Sequence, residues 1–315
     1  MRFHRVLEMM SFWRKQFFLR IFTIIFFVFL LSSISFLSIR VLPGDPVEIL
    51  LPPEASAQQK AELREELLLD QPLVFQFFHY WKQVLVGDFG RSLYFDRGVI
   101  PLIAERTVFS FILALSSVFL SAIFSLLGLF YVWVKPKKEA VLWLYSSIFL
   151  SQPVFFVAPV LVYVFSLKLG VFPVSGYYTP FHFMLPVVTL VLFQVSVLLR
   201  SLLPQLEKLR SSMFIVSAYA RGLSRRRVFW RHCFKNLMVS FVGLLSYMFT
   251  GLVTGAVIVE GVFDIPGLGL LFFEAVSLRD FPLITGLVLV VGLVYVAVNI
   301  LADSLIHVID PRSQS

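Results

Sequence analysis

Six stretches without a single Asp, Glu, Lys or Arg fix the class of this chain before any motif is considered. They are residues 21–39, 107–134, 140–167, 184–199, 236–259 and 281–302. A bilayer core is crossed by about 20 apolar residues in helical form, and only helices or closed barrels satisfy every backbone polar group there. The chain is 58% hydrophobic and 15% charged over 315 residues. The expectation is an all-α polytopic membrane protein with six transmembrane helices. The run 184–199 is bounded by Arg200 and by the turn-rich segment before it.

Orientation follows from the placement of Lys and Arg. The N-terminal tail carries Arg2, Arg5, Arg14, Lys15 and Arg20. The segment after the second run carries Lys135, Lys137 and Lys138, and residues 204–235 carry eight more bases. On the other side, the longest segment, 43–106, has ten acids against six bases. Both termini are expected in the cytoplasm. The first run is longer than an ordinary signal-peptide core, and Ser38-Ile39-Arg40 is a poor cleavage site, so it reads as a retained helix. The net charge of +8 is then topological and implies no nucleic-acid partner. A lone cysteine, Cys233, forbids an intramolecular disulfide, and five scattered histidines give no metal-ligand spacing.

Several local signals shape the connections. Ser56-Ala-Gln-Gln59 has the form of a capping box opening a short helix to Leu69. An amphipathic stretch follows, 73–86, with Leu73, Phe77, Trp81 and Leu85 near one face, and the loop as a whole suits a lid on the outer membrane surface. Gln152-Pro153 and Pro159 are expected to kink the third span. Gly251 and Gly255 have the spacing that permits close helix packing. Residues 260–269, EGVFDIPGLG, form a rigid outer turn and no phosphate loop, since they follow a membrane helix.

Chemistry is otherwise sparse. There is no GxxxxGK[ST], GxSxG or HExxH, so the chain is expected to be no enzyme and to need no cofactor. The spans carry almost no ionisable groups, which weighs against a stand-alone channel or secondary transporter. Gln152, Gln194, Ser196 and Asn299 are candidate polar groups of a solute pathway, each more simply read as packing between helices.

The large exception to this sparseness is a basic island, residues 204–236. Ser211 or Ser212 can cap a short helix that Gly222 ends in the left-handed conformation. Ser224 can cap a second helix running toward Asn236. Small residues, Ala218 and Ala220, permit close approach to another surface. Arg225, Arg226 and Arg227 crowd the start of the second helix, where its dipole disfavours cations. Two readings stand: an orientation signal with interfacial helices, or a docking site for a cytoplasmic partner.

The ordered motifs PGDP (43–46), LDQPL (69–73), GDFGRS (87–92), PVSGY (173–177), ARGLSRRRVFWRHCFKN (220–236), VIVEGVFDIPGLG (257–269) and DPR (310–312) resemble the dipeptide/oligopeptide ABC-importer permeases, first-permease type. The resemblance implies the type I importer permease fold: residues 1–105 form the first helix and long outer loop, and 106–315 a five-helix core. It implies a multi-pass protein of the bacterial cytoplasmic membrane. It implies a second homologous permease, two cytoplasmic ATPase subunits and an extracytoplasmic solute-binding protein as partners. The island becomes the coupling segment, with Ser217, Ala218, Ala220, Arg221, Gly222 and Leu223 docking the ATPase and Arg225–Arg227 at the cytoplasmic interface. The family commonly has an acid and a base where this chain has Met213 and Val216, and a proline where it has Ser240. Peptides are the implied solutes, with nickel or another small solute as the alternative.

The charge asymmetry makes a direct test. A cysteine placed at Gln59 should react with an impermeant thiol reagent added outside intact cells, and one at Lys137 should not. The reverse labelling pattern would overturn the orientation.

Overall fold

In the computed structural model, residues 55–66, 68–92 and 94–309 are described, with isolated positions between 22 and 47. Eight of the nineteen residues of the expected first span, and the whole of PGDP and DPR, lie outside the described residues. The described residues form twelve α-helices, α1 to α12 in chain order, and no strand. The chain divides into two compact units, residues 1–105 with 272–296, and residues 106–271 with 297–315.

In the first unit, α1 (Ala57–Glu66) opens on the capping box, with Gln59 N donating to Ser56 Oγ and Ser56 N to Gln59 Oε1. The helix ends three residues before the expected Leu69. Helix α2 (Leu73–Val86) has the expected bounds and a left-handed Gly87 at its end. Its packed face differs in part. Leu73 and Leu85 are exposed, whereas Gln76 and Val84 are buried. Phe77, Tyr80 and Trp81 meet Phe29 and Phe36 of the first apolar run. Gln76 turns inward because its amide donates to the carbonyls of Leu69 and Gln71, closing the preceding turn. Burial pushes the Tyr80 phenol above its ordinary pKa. Ser92, from the GDFGRS turn, donates to the buried Asp280 carboxylate. That carboxylate also accepts Leu283 N at the start of α12 (Phe281–Ile309).

The second unit is organised on α6 (Met184–Arg210), whose Leu198, Leu199, Leu202, Leu203 and Leu206 are fully buried. It packs against α4 (Glu139–Ser151), α5 (Val154–Leu161), α9 (Phe234–Gly255) and α10 (Val257–Phe263). Helix α3 (Val99–Val134) meets it through a polar seam. Ser121 Oγ donates to Gln194 Oε1 at 2.7 Å, and Gln194 Nε2 reaches Ser117 Oγ at 3.3 Å. Gln194 is therefore consumed between two helices. Ser196 is buried and bonds back to Leu192 O. Gln152 is exposed at the break between α4 and α5.

Helices long and apolar enough to cross a membrane number four among the described residues, or five if one bent pair counts as a span. The bent pair is the expected third span. It breaks by 99° instead of kinking. Gln152, held before a proline, adopts an extended backbone, as its clash with the proline ring requires. Pro159 sits inside α5 without breaking it, and the helix continues as a wide π turn, Val162–Lys168. The expected fourth span runs further than its apolar stretch, through Pro204 to Arg210. The fifth begins earlier, at Arg225, because α8 (Arg225–Val228) joins α9 through a π turn, Phe229–Cys233. A second island helix ending near Asn236 is thus not separate from the span. A Cβ added at Gly251 would meet nothing within 4 Å beyond the backbone of its own helix.

EGVFDIPGLG is more than a turn. Glu260 is wholly buried, and its carboxylate accepts Ser110 Oγ at 2.7 Å and Leu270 N at 2.8 Å. Ser110 Oγ in turn accepts Leu268 N at 2.7 Å. These amides belong to the first turn of α11 (Leu268–Ser277), so Glu260 caps a helix that starts eight residues after it. Asp264 turns the chain in the left-handed region, φ +52°. A Cβ on Gly267 would lie 2.2 Å from the Glu260 carboxylate, which requires glycine there.

Removal of this carboxylate leaves the Leu270 amide without its acceptor and Ser110 Oγ without its own, each worth about 1–3 kcal/mol. Glu260→Ala and Gly267→Ala should both lower the thermal midpoint of the purified chain in detergent by several degrees. Gly261→Ala, where a Cβ meets open space, should not. Equal midpoints for all three would refute the capping role.

Candidate functional site

The island is built around one short helix, α7 (Met213–Ala220). Ser212 precedes it with extended backbone, but its hydroxyl donates back to Leu209 O at 2.6 Å instead of capping the new helix. That bond ties α7 to the end of α6. At the other end, Gly222 N donates to Tyr219 O and Leu223 N to Ala218 O, with Gly222 at φ +79°. This paired closure requires the left-handed glycine. Ser224 then turns the chain into α8, again without a side-chain cap.

The loop is pinned to the last turn of α3. Arg210 Nη2 donates to Val132 O at 2.8 Å, and Arg225 Nη1 to Val134 O at 2.9 Å. Both carbonyls lack intrahelical partners, so two guanidinium groups from opposite ends of the loop cap one helix. Arg210 also pairs with Glu139 and lies over the Trp133 ring. Trp133 is buried, and its Nε1 donates to Arg225 O at 3.0 Å. Beside it opens a cleft of about 470 Å³ lined by Trp133, Pro136, Arg210, Tyr219, Leu223 and Arg225. Burial pushes the Tyr219 phenol above its ordinary pKa, so the charge of the cleft comes from the two arginines.

The expected docking residues separate into two faces. Ile215 and Ala218 are buried, Ala218 at 2% exposure, in this chain's own core. Ala218 therefore turns its side chain into this chain's own core, away from the outward face of α7. Periodicity decides this: positions 215 and 218 share the inward stripe of an eight-residue helix. Ser217, Ala220, Arg221 and Gly222 are exposed, and Leu223 is half-buried. The outward face also holds Met213 at 80%, Val216 at 50%, Phe214 and Tyr219. The sequence drew attention to Met213 and Val216 only as departures in polarity. Arg225 faces its own chain through Val134, while Arg226 and Arg227 are exposed.

Residues 121–315 match the family described as binding-protein-dependent transport system inner membrane component. Residues 13–97 match the N-terminal segment described for the same kind of membrane component. Among curated relatives, the glutathione transport system permease protein GsiC of Escherichia coli K12 is 32% identical over 286 residues, covering 90% of this chain and 94% of the relative. GsiC of Salmonella choleraesuis is 34% identical over 284 residues, covering 90% and 93%.

The indole bond makes the anchoring testable. Trp133→Phe keeps an aromatic ring but removes the indole donor from the Arg225 carbonyl, which retains Phe229 N, at a cost of about 0.5–1.5 kcal/mol. Limited proteolysis should then cut within residues 211–224 faster than in the wild type. Unchanged cleavage would show that the two arginine caps and packing hold the loop without the indole bond.

Proposed function

The chain belongs to the binding-protein-dependent transport system inner membrane components, the permeases of ABC importers, and from that premise we propose a peptide-translocating subunit that α7 couples to ATP hydrolysis. It is a multi-pass protein of the bacterial inner membrane and works within a complex with other subunits. The proposed composition is a second homologous permease, two cytoplasmic ATPases and an extracytoplasmic solute-binding protein. Both termini lie in the cytoplasm in this reading. Peptides are the proposed solutes because the relatives are named for glutathione transport, and glutathione is a tripeptide.

One observation carries the coupling role. A helix of eight residues, outside the spans, turns Met213, Phe214, Val216 and Tyr219 away from its own protein. A connector needs no such patch, and exposed apolar surface rimmed by polar groups marks an interaction site. Its backbone is fixed by Ser212–Leu209 at one end and the glycine closure at the other. Movement of a docked ATPase would therefore pass to α6 and α8 without being absorbed in the loop. Alternating access follows if those helices rock as rigid bodies.

Val216→Asp adds a carboxylate to the outward face, and Ile215→Asp to the inward one. The first should leave membrane level and thermal midpoint unchanged while lowering substrate-stimulated transport in the assembled complex at least about tenfold, since an unpaired carboxylate in a desolvated contact costs several kcal/mol. The second should remove the protein from the membrane. A Val216→Asp complex that transports at the wild-type rate overturns the coupling role.

A further inference from the structure

A second surface of the island is not absorbed by docking. Arg226, Arg227, Trp230, Arg231 and Lys235 line one shallow groove of about 590 Å³, with Ser224 at its edge. Arg227, Arg231 and Lys235 follow at intervals of four, as do Arg226 and Trp230, so helical geometry brings them to one side. No carboxylate lines the groove. The ion pairs among the described residues engage Arg91, Arg97 and Arg210, and none of the groove's cations. The first turn of α8 meanwhile holds three arginines against the helix dipole, a placement that an external anion relieves.

The groove lies on the opening turns of a membrane-crossing helix, Arg225–Val253, and the apolar run begins directly after Lys235. Trp230 is 46% exposed, with its ring packed against Phe130, Phe229 and Phe234. An indole fixed on one side and open on the other, beside cations at a span's end, is the chemistry of the lipid–water boundary. We propose that this groove binds the phosphodiester head group of an anionic glycerophospholipid. The guanidinium groups donate to the non-bridging phosphate oxygens, and Trp230 lies along the glycerol and first acyl carbons. A lipid is favoured over an acidic protein face because the site runs into the apolar span. It requires neither the docking of α7 nor any particular solute.

The test uses the full chain in nanodiscs whose lipids carry brominated acyl chains. The readout is the fluorescence quenching that is lost in Trp230→Phe. Brominated phosphatidylglycerol diluted into phosphatidylcholine should quench at least about threefold more than brominated phosphatidylcholine at the same fraction, as expected for several cations at one site. The preference should disappear in Arg227→Gln/Arg231→Gln/Lys235→Gln and weaken in Arg231→Gln alone, which spares the fold if the triple variant does not assemble. Equal quenching by both lipids overturns the proposal, as does a preference that survives in Arg231→Gln at full strength. Full competition by millimolar glycerol 3-phosphate would assign the groove to free phosphate. Loss of the preference when ATPase subunits bind would assign it to an acidic protein surface. Either result overturns the lipid.

Discussion

Two carbonyls at the end of α3, those of Val132 and Val134, set the architecture of the second unit's basic end. A helix that runs the length of a membrane leaves its last carbonyls unpaired. Here Arg210 and Arg225 supply the donors. Because those arginines stand at the two ends of the 211–224 loop, satisfying one helix end fixes the loop's entry and exit together. Trp133 reinforces the arrangement by donating to Arg225 O and lying beneath the Arg210 guanidinium. Short helix α7 therefore cannot move independently of α3, α6 and α8. The same positive charges that orient a membrane chain are used here as helix caps.

Buried acids follow the same logic. Glu260 and Asp280 are almost fully enclosed, and an enclosed carboxylate in a membrane protein is first a candidate for ion transport. Each instead accepts donors at the start of a helix: Glu260 at α11, with Ser110 interposed, and Asp280 at α12, with Ser92 added. Serine hydroxyls extend each cap to a neighbouring segment. The glycines at 267 and 269 exist because the Glu260 carboxylate, joined at 269 by Val257, occupies the space of a side chain. The motifs that resemble the permease family are thus, in these places, devices for ending and starting helices in an apolar medium.

Legibility in the sequence tracked how local each cause was. The capping box at Ser56 and Gln59, the bounds of α2 and the left-handed Gly222 depend on neighbours in the chain, and all were readable. The 99° break at Gln152 was visible in kind but not in size, since proline fixes the backbone before it while packing sets the angle. Of the expected α2 stripe, Phe77 and Trp81 pack while Leu73 and Leu85 stay exposed, and Gln76 joins the packed side because carbonyls five and seven residues away draw it inward. The inward turn of Ala218 was not legible either. Small residues suit both close docking and a tight core, and only the position of Ile215 on the same stripe separates the two. Glu260 as a cap required knowing that Ser110, 150 residues earlier, lies beside it.

The proposed coupling depends on stiffness as much as on contact. A lever transmits displacement only if its joints yield less than the interface that drives it. The joint from α7 to α6 is the two-residue link Ser211–Ser212, tied by a hydroxyl–carbonyl bond of 2.6 Å, and the joint to α8 is a two-bond closure around Gly222. Neither leaves a segment with free backbone rotation between the outward face and the spans. By contrast, α8 passes into α9 through a π turn, where the helix is wider and its bonding register shifts. Deformation under load would concentrate there, at Phe229–Cys233. Phe229 and Cys233 are fully buried in the core at this turn, so bending the helix repacks the interior instead of exposing it. In the proposed coupling, a compliant turn packed on both flanks, between α7 and an apolar span, would let the span tilt while α7 keeps its form.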